Sequence, residues 1–520
     1  VSQTQPNGAI VTTLFDISGG QVGVQDALGR YTTYLFDAAR HRTAVISPTG
    51  YRTSFVYGVG YRVLATQDAL GNFTSFGFDA LGRIASQIDP LGRTTTTVFD
   101  AVGQNTALVD ALGRRSTSMY DAIGNVRATQ NALGTFSTMT YNALGLKVAD
   151  INPLGYLTTY GYNSNRNLVS VQDALGSLTT YNYAANTQPL STVDALGSVT
   201  TLTFDFNNRL TGEFFPDSSR STYVYDGAGQ RIGIQDVTGI ASYAYDMAGR
   251  VSNVAYLTGD RLTYTYDMNG DRKTLWDPNS GLTTYSFDVE RRLTGIVNPF
   301  NELVTIAYDP LNRELKSTLA NGMQTSHVYD VASRETALQT YASNGVAKAI
   351  FTSTYDAVGN RITALELDGT RVTYAYDAAY QLVNETRSGA NAYNTTYTYD
   401  LAGNRLVKND SGQRTTYAYN PTNSVSSYTP PSGPIITFTF DARGNTTLEN
   451  SGGILTSYTW NPVNRLASVV NSDGSSQSNT YDALGLRRQR ISVGASTTTD
   501  QYLWDEQNLL RDATQSGAID

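Results

Sequence analysis

The sequence predicts an all-β fold in which tandem hairpins of 21 residues join into one long, coiled antiparallel sheet. Three observations predict it. An aromatic residue followed by a turn recurs every 21 residues, each unit holds a second turn, and six or seven residues separate neighbouring turns. Six or seven residues is the usual length of a strand and is too short for most helices.

The recurring element is Phe78-Asp79-Ala80-Leu81-Gly82-Arg83 and its variants. Its aromatic residue falls at 15, 36, 57, 78, 99, 120 and onward at the same spacing to 225, and the series reaches 24 units by Trp504. A period kept over this length indicates a repeat architecture. We therefore expect one continuous array over 1–520, strictly regular to about 330, with longer loops at 331–354, 385–396 and 427–435.

Each unit has an aromatic turn, which follows the recurring aromatic residue, and an alternate turn such as Asp26-Ala27-Leu28-Gly29. Aspartate can accept hydrogen bonds from the backbone that follows it, and glycine supplies the positive φ that closes the turn. We expect these residues to shape the turns rather than to bind metal. The candidate turn residues are Asp37, Asp79, Gly82, Asp100, Gly103, Asp121, Gly124, Asp226, Gly229, Asp356, Gly359, Asp482 and Gly485.

A second aromatic residue lies two positions before the first in 15 of the 24 units. Alternation with a period of two places both rings on one face of the sheet. We expect rings of successive units to stack into ladders, and an exposed face could also bind sugar rings. The candidate ladder residues are Tyr34, Phe36, Phe76, Phe78, Tyr223, Tyr225, Tyr264, Tyr266, Tyr374, Tyr376, Tyr458 and Trp460.

A sheet of about 48 strands cannot remain flat, because every strand adds twist. Such a sheet can spiral into a hollow shell or wind into an extended tube or solenoid. The sequence leaves both forms of closure open.

The charge and the composition exclude several classes of partner and site. The net charge of −8 argues against nucleic acid as the main partner, and no apolar run reaches the length of a transmembrane segment. The chain has no cysteine and only two histidines, His41 and His327, neither in a catalytic pattern. Each turn offers calcium a single aspartate, whereas calcium requires six to eight oxygens. We therefore predict no catalytic residue, no cofactor and no metal.

The Tyr/Phe-Asp-x-x-Gly-Arg/Asn signature, repeated from Phe15-Asp16 to Trp504-Asp505, resembles the RHS/YD-repeat family. The resemblance implies a secreted or surface protein of bacteria, whose spiralling β-sheet encloses a toxic C-terminal segment or an unfolded polypeptide. Some members are adhesive or carbohydrate-binding. Toxin-bearing members also carry a core with an autoproteolytic Asp-Pro-x-Gly motif. Asp89-Pro90-Leu91-Gly92 matches that motif only superficially, because it lies in a regular turn, and we expect neither core nor toxin domain within 1–520.

We predict a non-enzymatic extracellular scaffold that forms a shell and encloses or presents C-terminal cargo such as a toxin. The alternative is an extracellular filament or surface adhesin built from the repeats. The expected partners are further copies of the chain or the rest of a longer polypeptide, enclosed cargo or surface glycans. A downstream toxin segment would favour the shell, and self-assembly of the purified repeat would favour the filament.

Overall fold

The structure, a computed structural model, describes residues 1–277, 279 and 281–514 and is all-β, as predicted. These residues form 49 strands in a single sheet. Every strand pairs antiparallel with the next one along the chain, from β1 with β2 to β48 with β49. Over the described residues there is no helix, and hence none that could cross a membrane. Residues 515–520, the end of the expected array, lie outside the described part.

The first 25 strands are β1 (Ser2–Thr4), β2 (Ile10–Phe15), β3 (Gln21–Gln25), β4 (Tyr31–Phe36), β5 (Arg42–Ile46), β6 (Arg52–Tyr57), β7 (Val63–Gln67), β8 (Phe73–Phe78), β9 (Ile84–Ile88), β10 (Thr94–Phe99), β11 (Asn105–Val109), β12 (Arg115–Tyr120), β13 (Val126–Gln130), β14 (Phe136–Tyr141), β15 (Lys147–Ile151), β16 (Leu157–Tyr162), β17 (Leu168–Gln172), β18 (Leu178–Tyr183), β19 (Pro189–Val193), β20 (Val199–Phe204), β21 (Leu210–Phe214), β22 (Arg220–Tyr225), β23 (Arg231–Asp236), β24 (Gly239–Tyr245) and β25 (Val251–Tyr256).

The remaining strands are β26 (Arg261–Tyr266), β27 (Arg272–Asp277), β28 (Gly281–Phe287), β29 (Leu293–Val297), β30 (Leu303–Tyr308), β31 (Glu314–Thr318), β32 (Gln324–Tyr329), β33 (Glu335–Tyr341), β34 (Ala347–Tyr355), β35 (Arg361–Glu366), β36 (Arg371–Tyr376), β37 (Leu382–Arg387), β38 (Tyr393–Tyr399), β39 (Arg405–Asp410), β40 (Gln413–Tyr419), β41 (Val425–Thr429), β42 (Ile436–Phe440), β43 (Thr446–Ser451), β44 (Ile454–Trp460), β45 (Leu466–Asn471), β46 (Ser476–Tyr481), β47 (Arg487–Val493), β48 (Thr497–Asp505) and β49 (Asn508–Thr514).

Most units consist of a strand of six or seven residues that ends at the recurring aromatic residue, followed by a strand of five or six residues. The register shifts at the aromatic residue itself. Between β10 and β11, Val98 pairs with Ala107 but Phe99 pairs with Asn105, so one residue bulges. A bulge increases the local twist and bends the strand. Repeated once per unit, it curves the sheet.

The irregular spacings of the second half are absorbed in different ways. Over 331–354, where the spacing predicted a longer loop, β33 and β34 are lengthened to seven and nine residues. Over 385–396, the chain joins β37 to β38 through residues 388–392. Over 427–435, the segment from Pro430 to Ile435 joins β41 to β42. None of these segments interrupts the sheet.

The ribbon returns to itself after about twelve units. Asn269 contacts Ala27 across 242 residues, Tyr380 contacts Asp110 across 270, and Ala483 contacts Asp236 across 247. One turn of the coil therefore contains about 24 strands. At about 4.8 Å a strand, its circumference is roughly 115 Å and its radius roughly 18 Å. We call β1–β25 the first winding and β26–β49 the second winding.

The molecule has little conventional core. Its accessible surface is 27978 Å² for 56.4 kDa, whereas a compact protein of that mass exposes about 18,500 Å². The main buried apolar cluster among the described residues contains Val254, Leu262, Tyr264, Leu275 and Leu503, where the end of the chain meets β25–β27. Elsewhere most side chains are half-buried. Both faces of the sheet are therefore largely open, which fits a curved wall better than a packed globule.

Candidate functional site

The aromatic turns are closed by their aspartates. In the turn after β8, one oxygen of Asp79 accepts the amides of Leu81 and Arg83, both at 2.9 Å. The same bond, to the amide four residues on, is made by Asp37, Asp79, Asp100, Asp121, Asp226, Asp356 and Asp482. The backbone amide of Arg83, with its guanidinium, lowers the pKa of Asp79 below its usual value. One oxygen of each of these aspartates is thus used to shape its own turn.

The last residue of many aromatic turns is glycine. Gly103 has φ of +96°, and the expected turn glycines Gly82, Gly124, Gly229, Gly359 and Gly485 also have positive φ. A left-handed residue after a type I turn is a standard way to close a three-residue hairpin loop. Sixteen described residues other than glycine also have positive φ, among them Arg291 and Tyr380. Both of those side chains make ionic or hydrogen-bonded contacts away from their own turn.

An arginine joins neighbouring aromatic turns. Nε of Arg83 lies 2.6 Å from the second oxygen of Asp79, and Nη1 donates to the carbonyl of Asp100 in the next aromatic turn at 3.4 Å. The guanidinium lies 4.3 Å from the centre of the Phe99 ring. Arg209, Arg250, Arg292, Arg313 and Arg334 repeat all three contacts. This arginine links each unit to the next through an ion pair, a hydrogen bond and a cation–π contact.

The tyrosine hydroxyl of the repeat also has a defined role. The hydroxyl of Tyr225 donates to the carbonyl of Leu210 at 2.9 Å. The backbone pairing of β21 with β22 ends at Gly212 and Thr222, and Leu210 lies beyond that end. The Tyr225 hydroxyl therefore bonds to a carbonyl that has no partner on the β22 backbone. Tyr120, Tyr141, Tyr162, Tyr183, Tyr266, Tyr308 and Tyr329 make the same bond, 15 residues back. Trp460 uses its indole N–H to donate to the carbonyl of Thr446.

The expected aromatic ladders are interleaved with arginine. Successive units are two strands apart, about 9.6 Å, which is too far for direct stacking of their rings. The strand between them supplies a guanidinium: Arg272 lies 5.6 Å from the ring of Tyr264 and 4.9 Å from that of Tyr285. Arginine also lies over Tyr34, Phe36, Phe78, Tyr223, Tyr225, Tyr266 and Tyr374. Direct ring contact between units occurs at Tyr417, Tyr428 and Phe438, because Tyr428 on the intervening strand is itself aromatic.

A seam joins the two windings, and sequence reasoning did not find it. Alternate turns of the first winding lie against aromatic turns of the second. Asn269 donates to Asp26 at 2.7 Å, and Glu290 accepts the amide of Thr49 at 2.9 Å. Further pairs are Tyr380 with Asp110, Arg443 with Asp194, and the amide of Ala483 with Asp236. The partners are different residue types at each turn, so no periodic signal in the sequence marks them.

Hydrogen-bond partners hold the seam carboxylate of Asp110 in its ionised form. Burial favours the neutral acid of Asp110, but hydrogen bonds from the Tyr380 hydroxyl and the Arg114 amide lower its pKa. Burial and the bond to Asp110 raise the pKa of Tyr380 to about 12. The Arg114 guanidinium lies 5.0 Å from the Tyr380 ring. This contact is therefore a charge-assisted hydrogen bond at neutral pH.

One carboxyl group of the seam is in the opposite situation. Burial raises the pKa of Asp482, and the nearby charge of Asp236 raises it further. Residue 486, which follows its turn, is leucine, where Asp79 has Arg83 at the same place. A cavity of about 230 Å³ adjoins this pair and is lined by Tyr243, Tyr256 and Arg488 among others. The surroundings of Asp482 therefore favour its neutral form more than water does.

The last hairpin packs across the wall. Asp505, which is 2% exposed, accepts a hydrogen bond from the Tyr264 hydroxyl at 3.0 Å. It also forms an ion pair with Arg272 at 2.7 Å. Arg511 pairs with Asp260, and Leu503 is buried beside Leu262. The final strands thus fasten the end of the second winding to its beginning.

The two histidines have structural neighbours. His41 contacts Asp37 at 2.9 Å and stacks on Tyr61, while His327 lies between Glu314 and Glu335 and stacks on Tyr329. Within the described ranges, no group of three or more histidine, aspartate or glutamate side chains is placed to hold a metal ion. Asp89 pairs with Arg93 in an ordinary alternate turn.

Comparison with known proteins points to one family. A family model described as Teneurin YD-shell matches residues 294–508, and one described as RHS Repeat matches residues 78–115. The tRNA nuclease WapA of Bacillus subtilis is 37% identical over 218 residues, which is 38% of this chain and 9% of that protein. The chain thus spans less than a tenth of this curated relative.

Two solved structures share the fold. The Photorhabdus luminescens Tc holotoxin pore is 17% identical, with a TM-score of 0.73 over 97% of this chain and 31% of its own. The TcdB2-TccC3 crystal structure is 14% identical, with a TM-score of 0.67 over 99% of this chain and 38% of its own. At this level of identity, these structures establish the fold alone. The two family models, over residues 294–508 and 78–115, confirm the predicted resemblance to the RHS/YD-repeat family.

Proposed function

We propose that this chain is a non-enzymatic scaffold that forms part of the wall of a hollow shell, and that the shell encloses or presents a polypeptide cargo. The observation that carries the proposal is the seam. It closes two windings of a single sheet into a continuous wall, while the large accessible surface shows that no packed core fills the molecule. The match to a YD-shell family model supports the same structural role.

The size of the lumen restricts the cargo. A wall of radius roughly 18 Å, lined by a side-chain layer of about 5 Å, leaves a lumen of about 13 Å radius. An α-helix is about 10–12 Å in diameter and fits. A folded domain of about 100 residues has an outer radius of roughly 17 Å and does not. The proposed cargo is therefore an extended or helical polypeptide.

The nuclease activity in the name of WapA gives an alternative that we place outside this chain. The shared region is 9% of WapA. His41 and His327 are engaged with carboxylates and tyrosine rings rather than with a nucleophile. We propose that the similarity to WapA lies in its repeat scaffold.

Location and partners follow from this role. A shell that carries cargo would be secreted or lie on a bacterial surface, as the Tc toxin neighbours suggest. Its partners would be the cargo and other parts of a longer polypeptide or complex. The charge balance gives no reason to add nucleic acid.

Electron microscopy combined with protease challenge tests this proposal. End-on views should show a ring with an empty centre, and a disordered polypeptide fused after Asp520 should resist proteolysis better than the same polypeptide alone. A variant with Tyr380→Ala and Arg443→Ala, which removes two seam contacts, should lose protection. A filled particle, or equal digestion of fused and free polypeptide, would contradict the proposal.

A further inference from the structure

Among the residues that the structure describes, the coiled ribbon leaves two edges uncovered. The seam uses the alternate-turn edge of the first winding and the aromatic-turn edge of the second. The aromatic turns of the first winding, from Asp16 to Asp246, therefore form one open edge, which we call the first rim. The alternate turns of the second winding form the opposite edge, the second rim.

The first rim presents apolar side chains to solvent. Val102, Ile123 and Leu81 at its turn tips are 82%, 72% and 70% exposed. The same position in the turns of the second winding, which lie against the seam, is more covered: Val463 is 41% and Leu484 is 48% exposed. Aromatic turns are therefore exposed to solvent in the first winding and partly covered by the seam in the second. The further exposed tips of the first rim are Ile17, Val59, Leu144, Phe206 and Met247.

These tips lie close together. Val59, Leu81, Val102, Ile123 and Leu144 belong to five successive aromatic turns, each two strands or about 9.6 Å from the next, so they form a nearly continuous apolar line along this part of the rim. Monomeric soluble proteins rarely expose apolar patches beyond a few hundred Å², and larger patches mark interaction sites. Eight tips of this size together expose on the order of 1,000 Å², close to the area that each partner of a stable complex buries.

The second rim has the complementary features. Phe300 and Leu367, in its turns, are 81% and 49% exposed, and Ile454, the first residue after the turn of Gly452 and Gly453, is 65% exposed. Exposed carboxylates, Asp368 and Asp473, lie on the same rim. In the seam, donors of aromatic turns, such as Asn269 and Arg443, meet carboxylates of alternate turns. The first rim offers such donors in Asn165 and Arg166, which are exposed.

We propose that a second copy of this chain docks its second rim on the first rim, so that copies stack end to end. The contact would repeat between molecules the pairing that the seam makes within one, an alternate-turn edge against an aromatic-turn edge. Because the two rims are different surfaces, the interface is head-to-tail and does not close after two copies. Stacking would extend the lumen of the proposed shell into a tube. It does not require cargo, so its failure and the failure of cargo protection are separate results.

A complementation experiment tests the stacking. Mass photometry and analytical ultracentrifugation of the 520-residue chain should show species at successive multiples of 56.4 kDa that grow with concentration. A first-rim variant with Val102→Asp and Ile123→Asp should be monomeric, and so should a second-rim variant with Phe300→Asp and Ile454→Asp. Mixed together, they should form a species of two chains and nothing larger, because each retains the rim that the other lacks.

The matched control is Val224→Asp, which places the same charge at a residue that is 54% exposed on the face of β22 rather than on a rim. This variant should associate like the unmodified chain. A chain that stays monomeric at every concentration would overturn the proposal. So would association that stops at two copies and depends on the first rim alone, which would indicate a symmetric pair.

Discussion

The tyrosine of the repeat differs from phenylalanine by one hydrogen bond, and its position explains the preference for tyrosine. The hydroxyl of Tyr225 meets the Leu210 carbonyl just beyond the end of the strand ladder. Units with phenylalanine, such as the one that ends at Phe99, pack the ring under arginine without this bond. Tyrosine therefore adds a link between units, while the ring itself supplies the apolar contact.

Replacing Tyr225 with phenylalanine tests this link. We expect Tyr225→Phe to lower the free energy of local opening around β21 and β22 by about 0.5–1.5 kcal/mol, because the hydrogen bond is lost and the ring remains. Hydrogen exchange followed by mass spectrometry measures it. Phe99→Tyr is the matched variant and should slow exchange near Ile84. Unchanged exchange in both variants would show that the hydroxyl contributes nothing.

Asp482 gives a prediction about pH. Its pKa in the folded chain is raised, so the folded state favours the neutral acid, and the cost of its charge grows as pH rises through the folded pKa. Asp482→Asn keeps the acceptor oxygen of the turn, as Asn142 and Asn163 do at the same position. We expect this variant to have a higher Tm at pH 7 and a Tm equal to that of the unmodified chain below about pH 4.

The control for Asp482→Asn is Asp121→Asn. The hydrogen bond from Asn125 lowers the pKa of Asp121, so its charged form stabilises the fold above the unfolded pKa. Its replacement should lower the Tm at pH 7 or leave it unchanged. A rise in Tm for both variants, or a rise for Asp482→Asn that persists at low pH, would contradict the assignment of a buried charge.

At the scale of the hairpin, stability comes from contacts between units rather than from a core. Arg83 contacts Asp79 in its own aromatic turn, then the Asp100 carbonyl and the Phe99 ring of the next unit. Lysine carries the same charge but lacks the planar fork that can serve all three partners. The arginine thus couples neighbouring hairpins into one cooperative sheet.

Arg83→Lys should loosen two aromatic turns at once. We expect faster hydrogen exchange at both the 79–83 and the 100–104 turns, because the free energy of local opening falls by roughly 1 kcal/mol. The effect is no larger because water partly screens the site. Arg414→Lys, at an exposed residue of β40, should change neither turn. An effect confined to the turn at Asp79 would show that Arg83 does not link the units.

The sequence predicted what is local and missed what is not. The turn of Asp79 and Gly82 was predictable because all its bonds lie within five residues. The interleaved arginines had a signal in the sequence, because Arg42, Arg231 and Arg272 each follow an aromatic residue by six positions. The pair of Tyr380 with Asp110 had no such signal, since 270 residues separate the two and no other turn in the described part of the chain repeats that pair.

At the scale of the whole molecule, the last hairpin determines how the coil ends. The carboxylate of Asp505 is buried and serves both Tyr264 and Arg272. Removing one member of a buried pair leaves an uncompensated charge, which costs about 3–5 kcal/mol. The wall near β25–β28 should therefore depend on a residue more than 230 positions later in the chain.

Asp505→Ala should detach the end of the coil without unfolding the rest. We expect hydrogen exchange to rise in β48, β49 and β25–β27 and to stay unchanged in β4–β12. Glu506→Gln, at the exposed neighbouring acid, should leave the pattern as it is. Uniform exchange throughout the sheet would mean that the last hairpin stabilises the whole molecule rather than one region of the wall.

Because each seam contact pairs different residue types, the seam limits how the gene for this repeat array can change in length. Near-identical DNA repeats gain and lose copies, and a strand ladder of uniform units would accept either change. Asp26, Thr49, Asp110 and Asp194, however, each meet a different partner in the next winding. Loss of one unit turns every later residue by about 30° around the wall, since a winding holds roughly twelve units. The seam thus selects for a fixed copy number within each winding, although the ladder itself does not.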